Sequence, residues 1–237
     1  MYARGLQKLS LVDFPETMCA TVFLAGCNFR CPYCHNPDLV LRSPGLPWIS
    51  EEELLQFLEE REGFIDGVCV TGGEPTLEPD LPAFLARVKA RGLKTKLDTN
   101  GTRPDVLARL LEHGLLDYIA MDVKAPRDKY RRVTRSRVDP GVLEASIRLV
   151  QQSQVPYEFR TTVVPGLLSA DDVEAIARWI TGAGKYVLQP YLPPRRTLDE
   201  KWRKRPPCPR SYLERLACRV AHLVVRVEVR GGDRNLP

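Results

Sequence analysis

Short apolar runs alternate with amphipathic stretches along most of the chain. The first run, Ala20–Ala25, ends at a glycine and has the length of a buried strand. Five further runs of this kind lie at Gly67–Thr71, Leu93–Asp98, Tyr118–Val123, Tyr157–Val164 and Tyr186–Gln189. Between them, apolar residues recur at the i, i+3 and i+4 spacing of an amphipathic helix. The pattern therefore predicts six β/α units.

Local signals mark where the intervening helices begin. Ser50 is followed by Glu53, and Ser169 by Asp172, at the spacing of a capping box. Pro104 suits the first position of a helix. The connections are long enough for parallel crossovers, which are right-handed almost without exception.

The number of units limits the possible architectures. A closed eight-fold barrel typically needs about 250 residues, whereas this chain has 237 and a different pattern after the sixth unit. We therefore expect an α/β fold built as a partial, open, six-stranded parallel (β/α)6 barrel of the TIM type. A doubly wound sheet is the alternative that the same alternation allows.

We expect a single domain over residues 1–237, with a core at 19–190 and extensions at 1–18 and 191–237. Between Pro190 and Pro209 lie six prolines and many cations, which argues against regular structure there. A helix is predicted over Arg210–Val220 and an edge strand over Leu223–Val229.

Composition excludes several classes of protein. With 43% hydrophobic and 27% charged residues the chain is not expected to be disordered. No apolar run approaches the roughly 18 residues of a membrane span, and the first ten residues lack the apolar region of a secretion signal. The net charge of +5 is modest and does not indicate a nucleic-acid partner. We therefore expect a cytoplasmic protein without a membrane partner.

Cysteine usage is more informative. Seven cysteines are an odd number, which does not favour a disulfide framework. Cys27, Cys31 and Cys34 lie within eight residues, just after the first predicted strand. Cys19 and Cys69 lie in apolar runs, where small core residues are expected.

Three thiolates on one irregular loop can converge on a metal centre. A structural zinc site takes four ligands, and His35 is the local candidate for the fourth. An iron–sulfur cube normally takes four cysteines, so three would leave one iron free to bind a substrate. Both interpretations, and that of three unliganded thiols, are compatible with the spacing.

Further polar residues follow the next predicted strands, and reactive groups of a β/α barrel gather at those carboxyl ends. Gly72 and Gly73 allow close approach of a ligand to the backbone, and Glu74 can accept a hydrogen bond from an ammonium group. A glycine pair alone is also a commonplace turn.

The third to fifth strands carry the remaining candidates. Asp98 and Asn100 lie at the end of the third strand. Asp122 and Lys124 are two residues apart, so both face one side of the fourth strand, as a plain ion pair or as a site for a zwitterion. Arg160, if it faces inward, can bind a carboxylate in bidentate fashion.

At this point the residues resemble a known family. Cys27-x3-Cys31-x2-Cys34, with the aromatic Tyr33 before the last cysteine, resembles the signature of radical S-adenosylmethionine (SAM) enzymes. The stretch Lys8–Pro15 leading into the cysteine loop is similar to activating enzymes of glycyl-radical enzymes. The branch it resembles most is the anaerobic ribonucleoside-triphosphate reductase activating protein.

The resemblance implies a single 4Fe-4S cluster on the three cysteines, whose unique iron chelates the amino and carboxylate groups of SAM. It implies that Tyr33 lies beside the adenine and that Gly72, Gly73 and Glu74 receive the methionyl ammonium. No run of extra cysteines follows Cys34, so auxiliary clusters are not expected.

In the pyruvate formate-lyase activase, the positions matching Asp98, Asp122 and Lys124 hold the methionine and ribose portions of SAM. Asp98, Thr99 and Asp122 also match its monovalent-cation site. The expected cofactor-binding set is completed by Asn100 and Arg160. One departure is Leu192, which stands where that activase has a histidine and argues against the same substrate.

The resemblance implies reductive cleavage of SAM and formation of a glycyl radical on a partner such as anaerobic ribonucleotide reductase. A flavodoxin or ferredoxin is the implied electron donor. Two alternatives remain: a radical SAM enzyme acting on a small molecule or nucleobase of the deazaguanine type, and a non-catalytic zinc-binding interaction domain. The segment Pro190–Arg210 is either a rim that docks a partner or a disordered surface segment.

Overall fold

The computed structural model describes residues 1–231. The strands within this range are β1 (Tyr2–Ala3), β2 (Gly5–Ser10), β3 (Cys19–Leu24), β4 (Ile49–Ser50), β5 (Gly67–Gly72), β6 (Lys94–Thr99), β7 (Tyr118–Asp122), β8 (Tyr157–Val163), β9 (Tyr186–Pro190) and β10 (Val227–Val229). The helices are α1 (Pro37–Leu41), α2 (Glu51–Glu59), α3 (Leu81–Lys89), α4 (Pro104–Glu112), α5 (Tyr130–Thr134), α6 (Pro140–Gln152), α7 (Ala170–Trp179), α8 (Glu200–Arg203) and α9 (Arg210–Val220). A 3-10 turn spans Pro75–Leu77.

Eight strands form one sheet in the order β10-β9-β8-β7-β6-β5-β3-β2. The six predicted strands are β3 and β5 to β9, and they pair in parallel in chain order. The order never reverses, whereas a doubly wound sheet reverses at a switch point. Within the described residues β2 and β10 are not paired with each other, so the partial, open barrel is confirmed.

The structure adds elements that the sequence pattern did not predict. β2 pairs antiparallel with β3, although residues 1–18 were assigned no strand. β1 and β4 form a separate two-stranded ribbon. Helix α8 lies in the proline-rich segment, so the expectation of no regular structure there was wrong for one helical turn, which Asp199 caps by accepting a hydrogen bond from the Lys201 amide. The edge strand is confirmed but is confined to β10 and pairs in parallel with β9.

The two faces of the barrel wall have different chemistry. Val68, Val70 and Leu97 belong to the large apolar core, which also includes the buried faces of the helices. The residues that alternate with them, including Cys69, Lys96 and Asp98, contact one another instead. The inner face is therefore rich in polar and charged side chains, unlike the apolar layers that usually fill such barrels.

The stretch Lys8–Pro15 closes the amino end of the barrel. The Ser10 hydroxyl accepts a hydrogen bond from the Asp13 amide at 3.2 Å, and the Asp13 carboxylate accepts one from the Thr21 hydroxyl at 2.7 Å. This turn places Phe14, which is 3% exposed, against the ring of Tyr118. The motif therefore has a structural role at the end of the barrel opposite to the carboxyl ends of its strands.

An ion pair fastens β10 to the barrel interior. Glu158, at 0% exposure, accepts hydrogen bonds from both terminal nitrogens of Arg230 at 2.7 Å each. Tyr118 donates a third bond to the same carboxylate at 3.0 Å. Burial opposes the ionisation of Glu158, but Arg230 outweighs it and lowers the pKa from the usual 4.5 to about 2.

We expect Glu158→Gln to lower the free energy of unfolding at pH 7 by about 3 kcal/mol, because it removes the buried carboxylate with which both Arg230 and Lys185 pair. The stabilisation from a lowered carboxyl pKa is complete above pH 4.5 and is lost as the pH falls towards 2. The difference between wild type and variant should therefore shrink over that range. Urea unfolding monitored by circular dichroism at several pH values measures it.

The matched control is Glu52→Gln, which removes an exposed carboxylate at the start of α2. It should change the unfolding free energy by less than about 0.5 kcal/mol. Equal stability of the Glu158 and Glu52 variants would show that the ion pair does not hold β10.

Candidate active site

A cavity of about 250 Å³ opens at the carboxyl ends of the parallel strands. Its lining comes from the cysteine loop after β3, from the loops after β5, β6 and β7, and from β8 and β9. Every residue that the sequence placed in the cofactor and metal sites lines this one cavity, and Thr99 does as well. The ends of six separate strands thus meet at one site, as the sequence pattern led us to expect for these residues.

The cysteine loop is held by backbone hydrogen bonds at both ends. The Gly26 amide donates to the Leu39 carbonyl, and the Arg30 amide donates to the Thr134 carbonyl, each at 2.8 Å. Phe29 is buried beneath the loop, with its ring 6.0 Å from that of Tyr130. These contacts fix the loop against α1 and α5.

The three thiols are unpaired and largely removed from water. Burial raises the pKa of Cys27 and Cys34, and raises that of Cys31 to about 12. Lys124 is the nearby cation that opposes this effect at all three sulfurs. The ammonium of Lys124 therefore lies within electrostatic reach of the whole cysteine triad.

The donor set can be tested against the possible metal groups. Among residues 1–231, no group of three or more His, Cys, Asp or Glu side chains is placed to hold a single metal ion. The ring of His35, the candidate fourth zinc ligand, lies 5.6 Å from that of Tyr191. Three cysteine thiols that line one cavity suit a 4Fe-4S cluster that keeps one iron open, and His35 lines the same cavity.

Gly72 and Gly73 lie against the cysteine loop. A Cβ on Gly73 would lie 1.9 Å from the Gly26 carbonyl oxygen, and one on Gly72 would lie 2.2 Å from that of Leu24. The Gly73 amide donates to the Leu24 carbonyl at 2.9 Å. The sequence suggested approach of a ligand, but the close approach seen here is between two segments of backbone.

Glu74 joins the ends of two strands. Its carboxylate is 2% exposed and accepts hydrogen bonds from the Thr76 and Thr99 hydroxyls and from the Asn100 amide, at 2.6 to 2.7 Å. Burial raises its pKa in spite of these bonds. Glu74 therefore holds the loop after β6 in place, in addition to lining the cavity.

Asn100 connects that loop to the cysteine loop. Its side-chain amide donates to the Asn28 side-chain oxygen at 2.9 Å, and its own oxygen accepts from the Thr102 amide at 3.0 Å. Asn28 in turn donates to the Thr102 hydroxyl at 2.7 Å. Nothing in the sequence pattern marked Asn28 and Thr102 as site residues, because their hydrogen bond depends on contact between loops that are distant in the sequence.

A charged network forms one wall of the cavity. Arg160 donates to Asp122 at 2.9 Å and to Asp98 at 3.0 Å, so it bridges two carboxylates and does not bind one in bidentate fashion. Lys124 donates to the second oxygen of Asp122 at 3.1 Å, and the buried Lys96 pairs with Asp98. With two carboxylates and three cations the network carries a net charge of +1, but the third cation, Lys96, does not line the cavity.

The network stabilises its charged forms. Burial alone would raise the pKa of Asp122, but Arg160 and Lys124 outweigh it and hold that pKa at about 2. Both carboxylates that the resemblance assigns to a monovalent cation, Asp98 and Asp122, are already engaged by Arg160. The binding of a monovalent cation by these carboxylates remains a prediction.

Two further polar residues line the cavity. Thr162 lies two residues after Arg160 on β8, and Gln189 lies near the end of β9. The period of two along a strand places Thr162 on the same face as Arg160, so this residue was within reach of the sequence pattern. Tyr33 also lines the cavity; its ring packs edge-on against that of Tyr191 at 6.3 Å.

Comparison with known proteins agrees with this geometry. Residues 21–180 match the radical SAM superfamily. A protein of Methanocaldococcus jannaschii, named provisionally as a glycyl-radical enzyme activating enzyme, is 36% identical over 207 residues, covering 85% of this chain and 84% of its own. The pyruvate formate-lyase-activating enzyme of Clostridium pasteurianum is 30% identical over 196 residues, covering 79% and 80%. The chain belongs to the radical SAM superfamily and, within it, to the glycyl-radical enzyme activating enzymes.

Solved structures support the fold. SuiB of Streptococcus suis aligns with 89% of this chain at a TM-score of 0.65 and 14% identity, and the chain spans about half of SuiB, 48%. TYW1 with a lysine-pyruvate adduct aligns with 86% of this chain and 72% of its own at a TM-score of 0.59 and 17% identity. The protein is thus a radical SAM enzyme whose cofactors are a 4Fe-4S cluster and SAM. In the part of the chain that the structure describes, every helix is too short or too polar to traverse a bilayer.

We expect Gly73→Ala to displace the cysteine loop, since the added methyl group has no room beside the Gly26 carbonyl. The unfolding free energy should fall by about 2 kcal/mol. Iron bound after anaerobic reconstitution should fall to roughly half or less, because a site that shifts by about 1 Å holds its group poorly.

Gly45→Ala is the matched control, because a Cβ at Gly45 meets nothing within 4 Å. It should bind as much iron as wild type. If Gly73→Ala also reconstitutes fully, the glycine turn does not position the cysteines.

Proposed function

We propose that the protein reductively cleaves SAM and generates a glycyl radical on a partner enzyme, with anaerobic ribonucleotide reductase as the partner. The observation that carries this proposal is that three unpaired cysteines line the same cavity as a network of paired charged side chains. The similarity to activating enzymes over most of the chain supports a protein substrate rather than a nucleobase. The membership of the chain in a family of radical SAM enzymes disfavours a non-catalytic zinc-binding domain.

Different residues of the cavity would bind the cluster and SAM. Cys27, Cys31 and Cys34 would hold the cluster. When bound, the cluster supplies one electron that breaks the S–C5′ bond of SAM, giving methionine and a 5′-deoxyadenosyl radical, which takes a hydrogen atom from a glycine Cα. Lys124 and Arg160 suit the methionyl carboxylate, because both cations line the cavity beside the cysteines.

The protein supplies orientation more than chemistry. The interlocked bonds of Glu74 and Asn100 keep the loops around the cavity rigid, and this favours a single placement of the bound cofactor. The open barrel leaves a route by which a glycine loop of a folded partner can enter. The electron donor that we propose is a flavodoxin or ferredoxin.

The decisive test is anaerobic reconstitution followed by addition of dithionite and SAM, with 5′-deoxyadenosine measured by liquid chromatography. We expect a cluster of about four irons per chain and formation of 5′-deoxyadenosine. Adding the anaerobic ribonucleotide reductase of the same genome should give a glycyl-radical signal in electron paramagnetic resonance. Cys34→Ala should lower 5′-deoxyadenosine formation by more than about a hundredfold, because the cluster loses a ligand.

Cys218→Ala is the matched control, because that cysteine is exposed and lies in α9. It should react at the wild-type rate. A fully assembled cluster that yields no 5′-deoxyadenosine would exclude the enzymatic proposal, and one tightly bound zinc without iron would support the interaction domain.

A second prediction concerns SAM binding. Lys124→Met removes one positive charge while Arg160 still pairs with Asp122, so the fold and the iron content should be retained. We expect the dissociation constant for SAM to rise about tenfold, as measured by equilibrium dialysis with the reconstituted protein. Lys8→Met, at an exposed position of β2, should leave it unchanged. An unaltered dissociation constant in the Lys124 variant would remove this residue from the SAM site.

A further inference from the structure

Residues 191–209, here called the strap, lie against the outer side of the cysteine loop. The Asp199 amide donates to the Pro32 carbonyl at 3.1 Å, directly between two of the cysteines. Arg135 pairs with Asp199, and Arg196 pairs with Asp38 at 2.7 Å. The strap is thus tied to the cysteine loop and to its neighbours on both sides.

The strap carries most of the net positive charge of the chain. It contains six of the 35 Lys and Arg residues and two of the 30 Asp and Glu residues, so it holds four of the five net positive charges in 19 residues. Its cations are all exposed: Arg195, Arg196, Lys201, Arg203, Lys204 and Arg205. The side chains of Arg195 and Lys204 make no hydrogen bond or salt bridge within residues 1–231.

A groove of about 480 Å³ lies between the strap and the segment that follows the cysteine loop. Pro194, Arg195 and Arg196 line one side, and the rest of the lining comes from residues 35–39 and from Arg4, Gly5, Phe23 and Leu46. His35 and Asn36 line both this groove and the inner cavity. The partition between them therefore begins at the residue next to Cys34.

We propose that the strap and this groove dock an acidic electron-transfer protein that contains a one-electron redox cofactor. This protein would deliver its electron across the partition that His35 and Asn36 form beside Cys34. This inference rests on the proposed function, because each cleavage of SAM consumes one electron. The docked carrier is oxidised by one electron, the SAM sulfonium is reduced as its S–C5′ bond breaks, and no other reductant is needed.

The charge distribution selects an acidic partner and its orientation. Outside the strap the chain is nearly neutral, so long-range attraction of an acidic protein is directed to the strap side of the cysteine loop. Such charges chiefly raise the association rate and fix the register of docking. The strap does not suit the glycine-bearing partner, because no residue of 191–209 lines the inner cavity that the glycine must reach.

The test uses the full, reconstituted chain and a reduced flavodoxin as probe. Arg195→Glu combined with Lys204→Glu reverses two unpaired strap cations. Lys8→Glu combined with Lys94→Glu is the matched control, because it reverses two exposed lysines at the amino end of the barrel. Each double variant lowers the net charge by four units, from +5 to +1.

We expect the strap variant to lower kcat/KM for reduced flavodoxin by about tenfold or more and to reduce its dependence on salt. The affinity for oxidised flavodoxin, measured by calorimetry at low ionic strength, should weaken in parallel. With dithionite as reductant the rate should stay at the wild-type value. The control pair should stay within about twofold of wild type with either reductant.

Equal loss in the two double variants would overturn the proposal, because net charge alone would then explain it. An unchanged kcat/KM for flavodoxin in the strap variant would also overturn it, as would loss of glycyl-radical formation with dithionite, which would assign the strap to the glycyl-radical partner. Failure of wild type to cleave SAM with dithionite would instead contradict the proposed function itself.

Discussion

The backbone of the Gly72–Gly73 turn lies directly on the backbone of residues 24–26, and the positions of the thiols depend on this contact. The Gly73 amide bonds to the Leu24 carbonyl, and the Glu74 amide bonds to the Gly26 carbonyl at 2.8 Å. Any side chain at Gly73 would separate the two segments. Because Glu74 also bonds to the end of β6, the same turn connects the cysteine loop to the loop after the next strand.

The ion pairs in the interior of the barrel extend this rigidity to β7 and β8. Burying charges costs free energy, and buried pairs rarely add net stability over an apolar core. The arrangement of Arg160 between Asp98 and Asp122 therefore has more to do with function than with stability. Charges that are already paired and oriented need little reorganisation when a charged cofactor binds.

The sequence predicted the parallel strands because each combines a short apolar run with a turn residue, and both signals are local. The edge strand β2 was not predicted, because its exposed residues Gln7, Lys8 and Leu9 show no alternation of apolar and polar positions. The strand containing Lys96 was predicted, but not the burial of its lysine to 2% exposure, since that requires Asp98 and Cys69 around it.

Among the cavity residues, too, those with a local sequence signal were predicted and those that depend on tertiary contacts were not. The cysteine triad and the residues after each strand were found because sequence position alone puts them at one end of a parallel barrel. The function of the glycine pair and the contacts of Asn28 were not found, since both depend on which loops touch. The spacing of residues in the sequence predicts which chemical groups reach the site, but it does not predict which residues contact them there.

The cysteine loop has two faces with opposite requirements. The inner face must exclude water and hold a reactive species, and it is lined by residues that are fixed by hydrogen bonds to one another. The outer face bears the strap, whose cations remain exposed and adaptable. In the proposed scheme electrons arrive through the outer face and the glycine through the inner one. Because the two routes do not overlap, the donor need not leave before the substrate binds, and a single short loop can serve two protein partners.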